Sequence, residues 1–128
     1  MTLLLDTHAV VWWLLGDERL GVGARDAIQA SGDLYVSAAS SWELSTKARL
    51  GTWPDAEALA RDLSAWVARQ GMRPLAVTLE HGARAGQLPG PHRDPFDRTL
   101  IAQCQAEGLT IASADAIFDR YGVRRISS

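Results

Sequence analysis

Acidic side chains dominate the residues able to do chemistry. Asp6 ends a short apolar run, Leu3-Leu4-Leu5, while Glu43 sits within Ser40-Ser41-Trp42-Glu43-Leu44. Asp97 closes Asp94-Pro95-Phe96-Asp97, and Asp115 follows Ser113-Ala114. Carboxylates crowded at one place repel each other and lose hydration, a cost that a divalent cation removes. Oxygen-only donors select Mg²⁺, with Mn²⁺ as a substitute. His8, His81 and His92 are scattered, and each reads first as a surface or hydrogen-bonded structural residue. Cys104, the one cysteine, allows neither an intrachain disulfide nor a thiolate cluster.

Each acid also has a structural reading, because the free N–H groups and dipole of a helix start favour carboxylates. Asp6 and Asp115 both follow β-prone runs and precede helical ones, where an N-cap belongs. In Asp94-Pro95-Phe96-Asp97 the fit to a helix start is close, with Asp94 as N-cap, Pro95 as first helical residue and Asp97 as the acid at the third position.

The elements that must position these residues alternate. Leu3-Leu4-Leu5, Leu34-Tyr35-Val36, Leu75-Ala76-Val77 and Thr110-Ile111-Ala112 read as strands, with Val123 to Ile126 as a terminal one. Helical patterns run from Ala9 to Leu15, Ala24 to Ala30, about Ala39 to Leu50, Ala56 to Arg69, Leu79 to Ala85, Phe96 to Glu107 and Asp115 to Tyr121. Gly51, Gly71 and Gly108 stand where helices should stop. The Gly- and Pro-containing segment from Gly86 to Arg93 reads as an exposed loop.

Strands alternating with helices imply right-handed βαβ units, hence an α/β fold: a three-layer α/β/α domain with a mainly parallel sheet of four to five strands, spanning residues 1–128 as one unit. Ligand sites of such sheets lie outside the carboxyl ends of the strands. Asp6 and Asp115 follow strands there, and Glu43 and Asp97 lie in the first turns of helices that begin there. One rim thus receives four acids, a set suited to a divalent ion and to hydrolysis of a phosphodiester.

Composition narrows the class further. With 47% hydrophobic and 22% charged residues the chain reads as globular, and no apolar run is long enough to span a bilayer. Met1 leads directly into the leucines without a basic leader, so a cytoplasmic location without membrane attachment is expected. A net charge of −2 argues against binding nucleic acid by overall positive potential and leaves only local pairs: Lys47 with Arg49, Arg93 with Arg98, Arg124 with Arg125. Of the five tryptophans, Trp12 and Trp13 cannot both face inward on one helix, which favours a protein interface over base stacking.

Three ordered motifs carry a resemblance: Leu4-Leu5-Asp6-Thr7-His8; Ser40-Ser41-Trp42-Glu43-Leu44 with Lys47; and His92-Arg93-Asp94-Pro95-Phe96-Asp97-Arg98 followed by Leu100-Ile101-Ala102. With Ser113-Ala114-Asp115 they resemble a PIN-domain ribonuclease of the VapC toxin type, over essentially the whole chain. The resemblance implies a Mg²⁺- or Mn²⁺-dependent endonuclease acting on single-stranded RNA, with the family's acids falling on Asp6, Glu43, Asp97 and Asp115. It implies a cognate antitoxin and a homodimer. Asp97 matches the metal-site position, which leaves Asp94 as the cap. Thr7, Arg98 and Ser113 stand beside these acids as candidates for positioning water or phosphate. Pro91 precedes His92 where the family branch often carries a second histidine.

Two other readings compete. A phosphatase with an aspartate nucleophile after the first strand suits the fold, but usually needs a second Asp two residues on, where His8 stands. A non-catalytic RNA- or partner-binding module of the same fold has no need for all four acids.

Overall fold

The computed structural model describes residues 1–90 and 92–127. Its centre is a parallel five-stranded sheet in the order β3-β2-β1-β4-β5, formed by β1 (Thr2–Leu5), β2 (Asp33–Ser37), β3 (Arg73–Leu75), β4 (Thr110–Ala112) and β5 (Arg125–Ile126). The expected three-layer α/β/α architecture is what forms. Leu5 pairs with Val36 on one side and Ala112 on the other, so β1, β2 and β4 end level with one another. The chain leaves β1 in one direction towards β2 and β3 and later returns on the other side for β4 and β5. A strand order that reverses beside β1 opens a crevice at the carboxyl ends.

Leucines on β1 show how the two faces fill. Successive side chains of a strand point to opposite faces. Leu3 and Leu5 accordingly join Val10, Ile28, Leu44, Leu59, Leu63 and Val67 in one core. Leu4 joins Leu100, Ile101, Cys104, Ile111 and Phe118 in the other. Cys104 is a packing residue, and burial pushes its thiol up to about 12.

Helices α1 (Thr7–Leu15), α2 (Val22–Ala30) and α3 (Ala38–Leu50) follow the first two strands. Ser37 caps α3 by accepting the Ala39 amide, and Gly51 ends it at a positive φ of 70°, a backbone state glycine adopts without steric cost. Where a single helix over 56–69 is expected, two form: α4 (Pro54–Ala60) and α5 (Leu63–Arg69). Leu59, Leu63 and Val67 keep helical spacing and share one core, but Asp62 leaves helical geometry at φ −133°. A short carboxylate competes poorly as a helix-interior residue, and here its carbonyl starts α5 by accepting the Trp66 amide.

The third strand lies two residues earlier than the apolar run Leu75-Ala76-Val77 suggests, because register with Tyr35–Ser37 recruits Arg73 and Pro74 at this sheet edge. Helix α6 (Leu79–Gln87) absorbs Gly86 and Gln87 from the expected loop. His81 is buried in the first turn of α6, where its ring accepts the Thr78 amide and its Nε2 meets Glu107 at 2.9 Å, a structural role. Helix α7 (Pro95–Glu107) and a 3₁₀ helix (Ala116–Tyr121) complete the chain.

Candidate active site

Each acid reaches the crevice for a local reason. Asp6 continues the ladder beyond β1, its amide bonding the Ala112 carbonyl, and then caps α1 with Oδ1 2.8 Å from the Ala9 amide. Glu43 sits in the second turn of α3, buried, and accepts the Lys47 ammonium at 2.7 Å on Oε2. Asp94 caps α7 by accepting the Phe96 and Asp97 amides, which delivers Asp97 into the first turn. Asp115 caps the 3₁₀ helix through the Ile117 amide, while its own amide bonds Ser113 Oγ at 3.0 Å.

The capping roles expected of Asp6, Asp94 and Asp115 are therefore all filled, and all three line a common pocket with Glu43 and Asp97. This pocket, about 210 Å³ in volume, is also lined by Thr7, His8 and Lys47. A cap fixes one carboxylate oxygen to the backbone and so orients the group. Capping and ligand binding are compatible uses of one side chain.

Electrostatics mark Asp6 and Asp97. Burial pushes Asp6 up to about 6, with Glu43 and Asp115 adding to the effect and the Ser113 hydroxyl and Ala9 amide opposing it. Asp97 is likewise pushed up to about 6, by burial first and then by Asp94 and Glu43, against the pull of His92. Both carboxylates are thus held where ionisation is costly, the condition that a bound cation relieves.

Among the described residues no three His, Cys, Asp or Glu side chains converge closely enough to ligate an ion together as they stand. Their present partners are intramolecular: Lys47 for Glu43, His92 for Asp97 at 3.1 Å, and helix amides for Asp6 and Asp115. The four acids nevertheless fit a hard divalent ion, since their donors are carboxylate oxygens and burial makes ionisation costly for two of them.

Three neighbours behave differently from one another. Thr7 lines the pocket, and its buried hydroxyl donates to Ser40 Oγ at 3.0 Å, tying α1 to α3. Ser113 is buried beside Asp6 and orients Asp115. Arg98 does not present its guanidinium to the pocket: Nε bonds the Ala85 carbonyl at 2.9 Å, Nη1 that of His92 at 2.9 Å and Nη2 that of Leu88 at 2.6 Å. Bound to these three carbonyls, Arg98 fastens the loop before α7.

His8 and His92, set aside in the sequence reading, stand at the site. His8 packs against Trp53 with ring centroids 4.5 Å apart, and burial lowers its pKa. Its position two residues after Asp6 was the available signal. Trp12 and Trp13 both pack against the core and stay partly exposed. Trp42 is the most outward, 60% exposed and edge-on to Phe96. A separate, mainly apolar groove of about 330 Å³ between β2, α3 and α5 carries no ionisable side chain.

Known proteins share this fold. The PIN domain family model matches residues 3–124. Ribonuclease VapC22 of Mycobacterium tuberculosis (strain ATCC 25618 / H37Rv) is 30% identical over 117 residues, which cover 89% of this chain and 87% of that protein. VapBC2 from Rickettsia felis, solved bound to a DNA fragment from its promoter, superposes with a TM-score of 0.73 at 14% identity, covering 99% of this chain and 98% of that one. Mycobacterium tuberculosis VapC20, described as a sarcin–ricin loop cleaving toxin, gives 0.65 at 20% identity, covering 95% and 96%. Matched along nearly its whole length by the family model and by a VapC relative, the chain belongs to the PIN-domain family and, within it, to the VapC type.

Proposed function

We propose that this protein is a metal-dependent endoribonuclease, hydrolysing RNA phosphodiester bonds as the toxin of a toxin–antitoxin pair. The observation that carries the reading is the meeting of Asp6, Glu43, Asp97 and Asp115 at one pocket beyond the strand ends, with Asp6 and Asp97 held near 6. Kinship with VapC22 supports the same chemistry. Asp6 and Asp97, with Glu43 and Asp115, would hold the divalent ion, Mg²⁺ in the cell with Mn²⁺ as a substitute. When bound, the ion supplies charge stabilisation and activation of the attacking water.

The chain's own residues set the stage for that chemistry. The Ala9 amide fixes one oxygen of Asp6, Ser113 fixes the Asp115 backbone, and the Thr7–Ser40 bond holds the starts of α1 and α3 together. Glu43 and Asp97 are kept in place by Lys47 and His92.

The partners follow from the same kinship. A cognate antitoxin binds the toxin, a fold shared with VapBC assemblies supporting this, and two copies of the chain pair as a homodimer. Among the described residues no helix is long and apolar enough to cross a membrane. A single nuclease domain over residues 1–128 working in the cytoplasm completes the reading.

The test is direct. Purified protein freed of antitoxin should cut cellular RNA in Mg²⁺ or Mn²⁺, stop on chelation, and lose cleavage as Asp97→Asn or Asp6→Asn. Intact RNA under all these conditions would leave a non-catalytic binding module as the correct reading.

A further inference from the structure

We propose that Lys47 receives a backbone phosphate of the RNA strand at the acid pocket, an inference that rests on the ribonuclease reading. The difficulty it resolves is electrostatic. A polyanion must approach a pocket lined by Asp6, Glu43, Asp94, Asp97 and Asp115, on a chain whose net charge is −2. A divalent ion offsets only part of that charge.

Three other cations near this end of the sheet are engaged within the fold, and exposed Arg93, beside His92, does not line the pocket. Arg19 is bound to Asp17 and Asp55, Arg98 to loop carbonyls, and Arg125 to Asp119 and the Ser113 carbonyl. Among the described residues, Lys47 is the Lys or Arg that lines the pocket.

Its setting suits the task. The ammonium meets Glu43 Oε2 at 2.7 Å and lies 5.4 Å from the centre of the Trp53 ring, whose face attracts a cation. The side chain keeps 35% of its exposure, whereas that of Glu43 keeps 6%. An ammonium has three donors, and Glu43 takes one. Lys47 is thus pinned by the carboxylate and the indole with donors left over, a compact point charge of the kind that binds phosphate. His8, against the same Trp53, continues this wall of the pocket.

The experiment separates a phosphate contact from mere neutralisation of Glu43. Binding of a short fluorescent single-stranded RNA is measured over a salt series with divalent ions chelated, which stops cleavage while every pocket carboxylate is kept. Each phosphate contact to a single strand contributes about 0.7 to the slope of log K against log salt. Lys47→Met is expected to reduce the slope by about 0.7 and to weaken all RNA sequences alike, while Lys47→Arg keeps the slope. Circular dichroism confirms the fold of each variant, and Lys47→Gln replaces Lys47→Met where the latter fails to fold. An unchanged slope in a folded charge-removing variant overturns the proposal while the ribonuclease reading stands. Wild-type protein that leaves RNA intact in Mg²⁺ and Mn²⁺ overturns both.

Discussion

His92 Nε2 stands 3.1 Å from Asp97 Oδ2, five residues apart across the capped start of α7. The contact pulls the Asp97 pKa down against the burial and like charges that push it to about 6. Removing the ring therefore raises that pKa further. His92→Ala should shift the acidic limb of the pH profile of kcat/KM to higher pH, and His92→Gln should recover part of the shift by keeping a donor. An unmoved acidic limb in His92→Ala would show that Asp97 does not feel this ring during turnover.

Asp6 gives the metal-free protein an inverted pH dependence. Its folded pKa of about 6 lies above the ordinary carboxyl value of 3.8, so the folded state holds its proton more tightly than the unfolded chain does. Below pH 3.8 both states are protonated and nothing is lost. As pH rises through 3.8 towards 6 the unfolded chain ionises first, and stability falls by an amount on the order of 3 kcal/mol in all. Asp6→Asn removes this penalty and keeps the cap, since Asn caps as well as Asp. Melts in chelator should show the variant gaining on wild type between pH 4 and pH 6.5, while RNA cleavage is lost.

Arg98 predicts a different failure. Its guanidinium ties the carbonyls of Ala85, Leu88 and His92 together, and Tyr121 adds a bond to the Pro89 carbonyl. Arg98→Ala leaves those acceptors to water or unpaired, at about 1–3 kcal/mol for a buried group. Lysine, with one nitrogen, cannot span them. Both variants should melt lower and exchange the amides of Gly86, Leu88, Gly90 and His92 faster, with Lys47-dependent RNA affinity less affected than turnover.

Much of this was readable from the chain. Leu3-Leu4-Leu5 before Asp6 identifies a buried strand that ends at a carboxylate, and in a parallel sheet that end is where ligands sit. Asp94-Pro95-Phe96-Asp97 gave its own cap assignment, and the structure fills it. The i,i+4 spacing of Glu43 and Lys47 allowed their pairing. Other features depend on tertiary partners that no local pattern encodes. Arg98 beside Asp97 reads as a candidate for positioning water or phosphate, and its bonds to carbonyls of a loop that folds back from α6 have no local signature. The break at Asp62 was hidden because the apolar spacing of α4 and α5 continues across it. His8 joins the pocket through its packing on Trp53, and His92 reaches Asp97 through the turn before α7.

Asp94 separates capping from charge. Asp94→Ala removes the cap of α7 and should lower stability by about 0.5–2 kcal/mol. Asp94→Asn retains the cap and should melt like wild type, yet it removes the largest like charge acting on Asp97. The Asp97 pKa should then fall, moving the acidic limb of activity to lower pH. Parallel melts and pH–rate profiles of the two variants check both halves, and a loss of metal response in Asp94→Asn would instead make Asp94 a ligand.

Divalent ions should stabilise the protein in proportion to the ionisation of Asp6 and Asp97. Binding to the folded state alone adds RT ln(1 + [L]/Kd), about 2.7 kcal/mol at a hundredfold excess over Kd. Protons compete for the same oxygens, and with both carboxyls near 6 that competition is strong at pH 5 and weak at pH 7.5. Mg²⁺ or Mn²⁺ should therefore raise the melting temperature at pH 7.5 over a chelator baseline and do little at pH 5. Asp97→Asn should lose the response at pH 7.5, because an amide cannot supply the charge. A melt equally responsive at both pH values would place the ion away from these two carboxylates, whose crowding is the reason for expecting it at the strand ends.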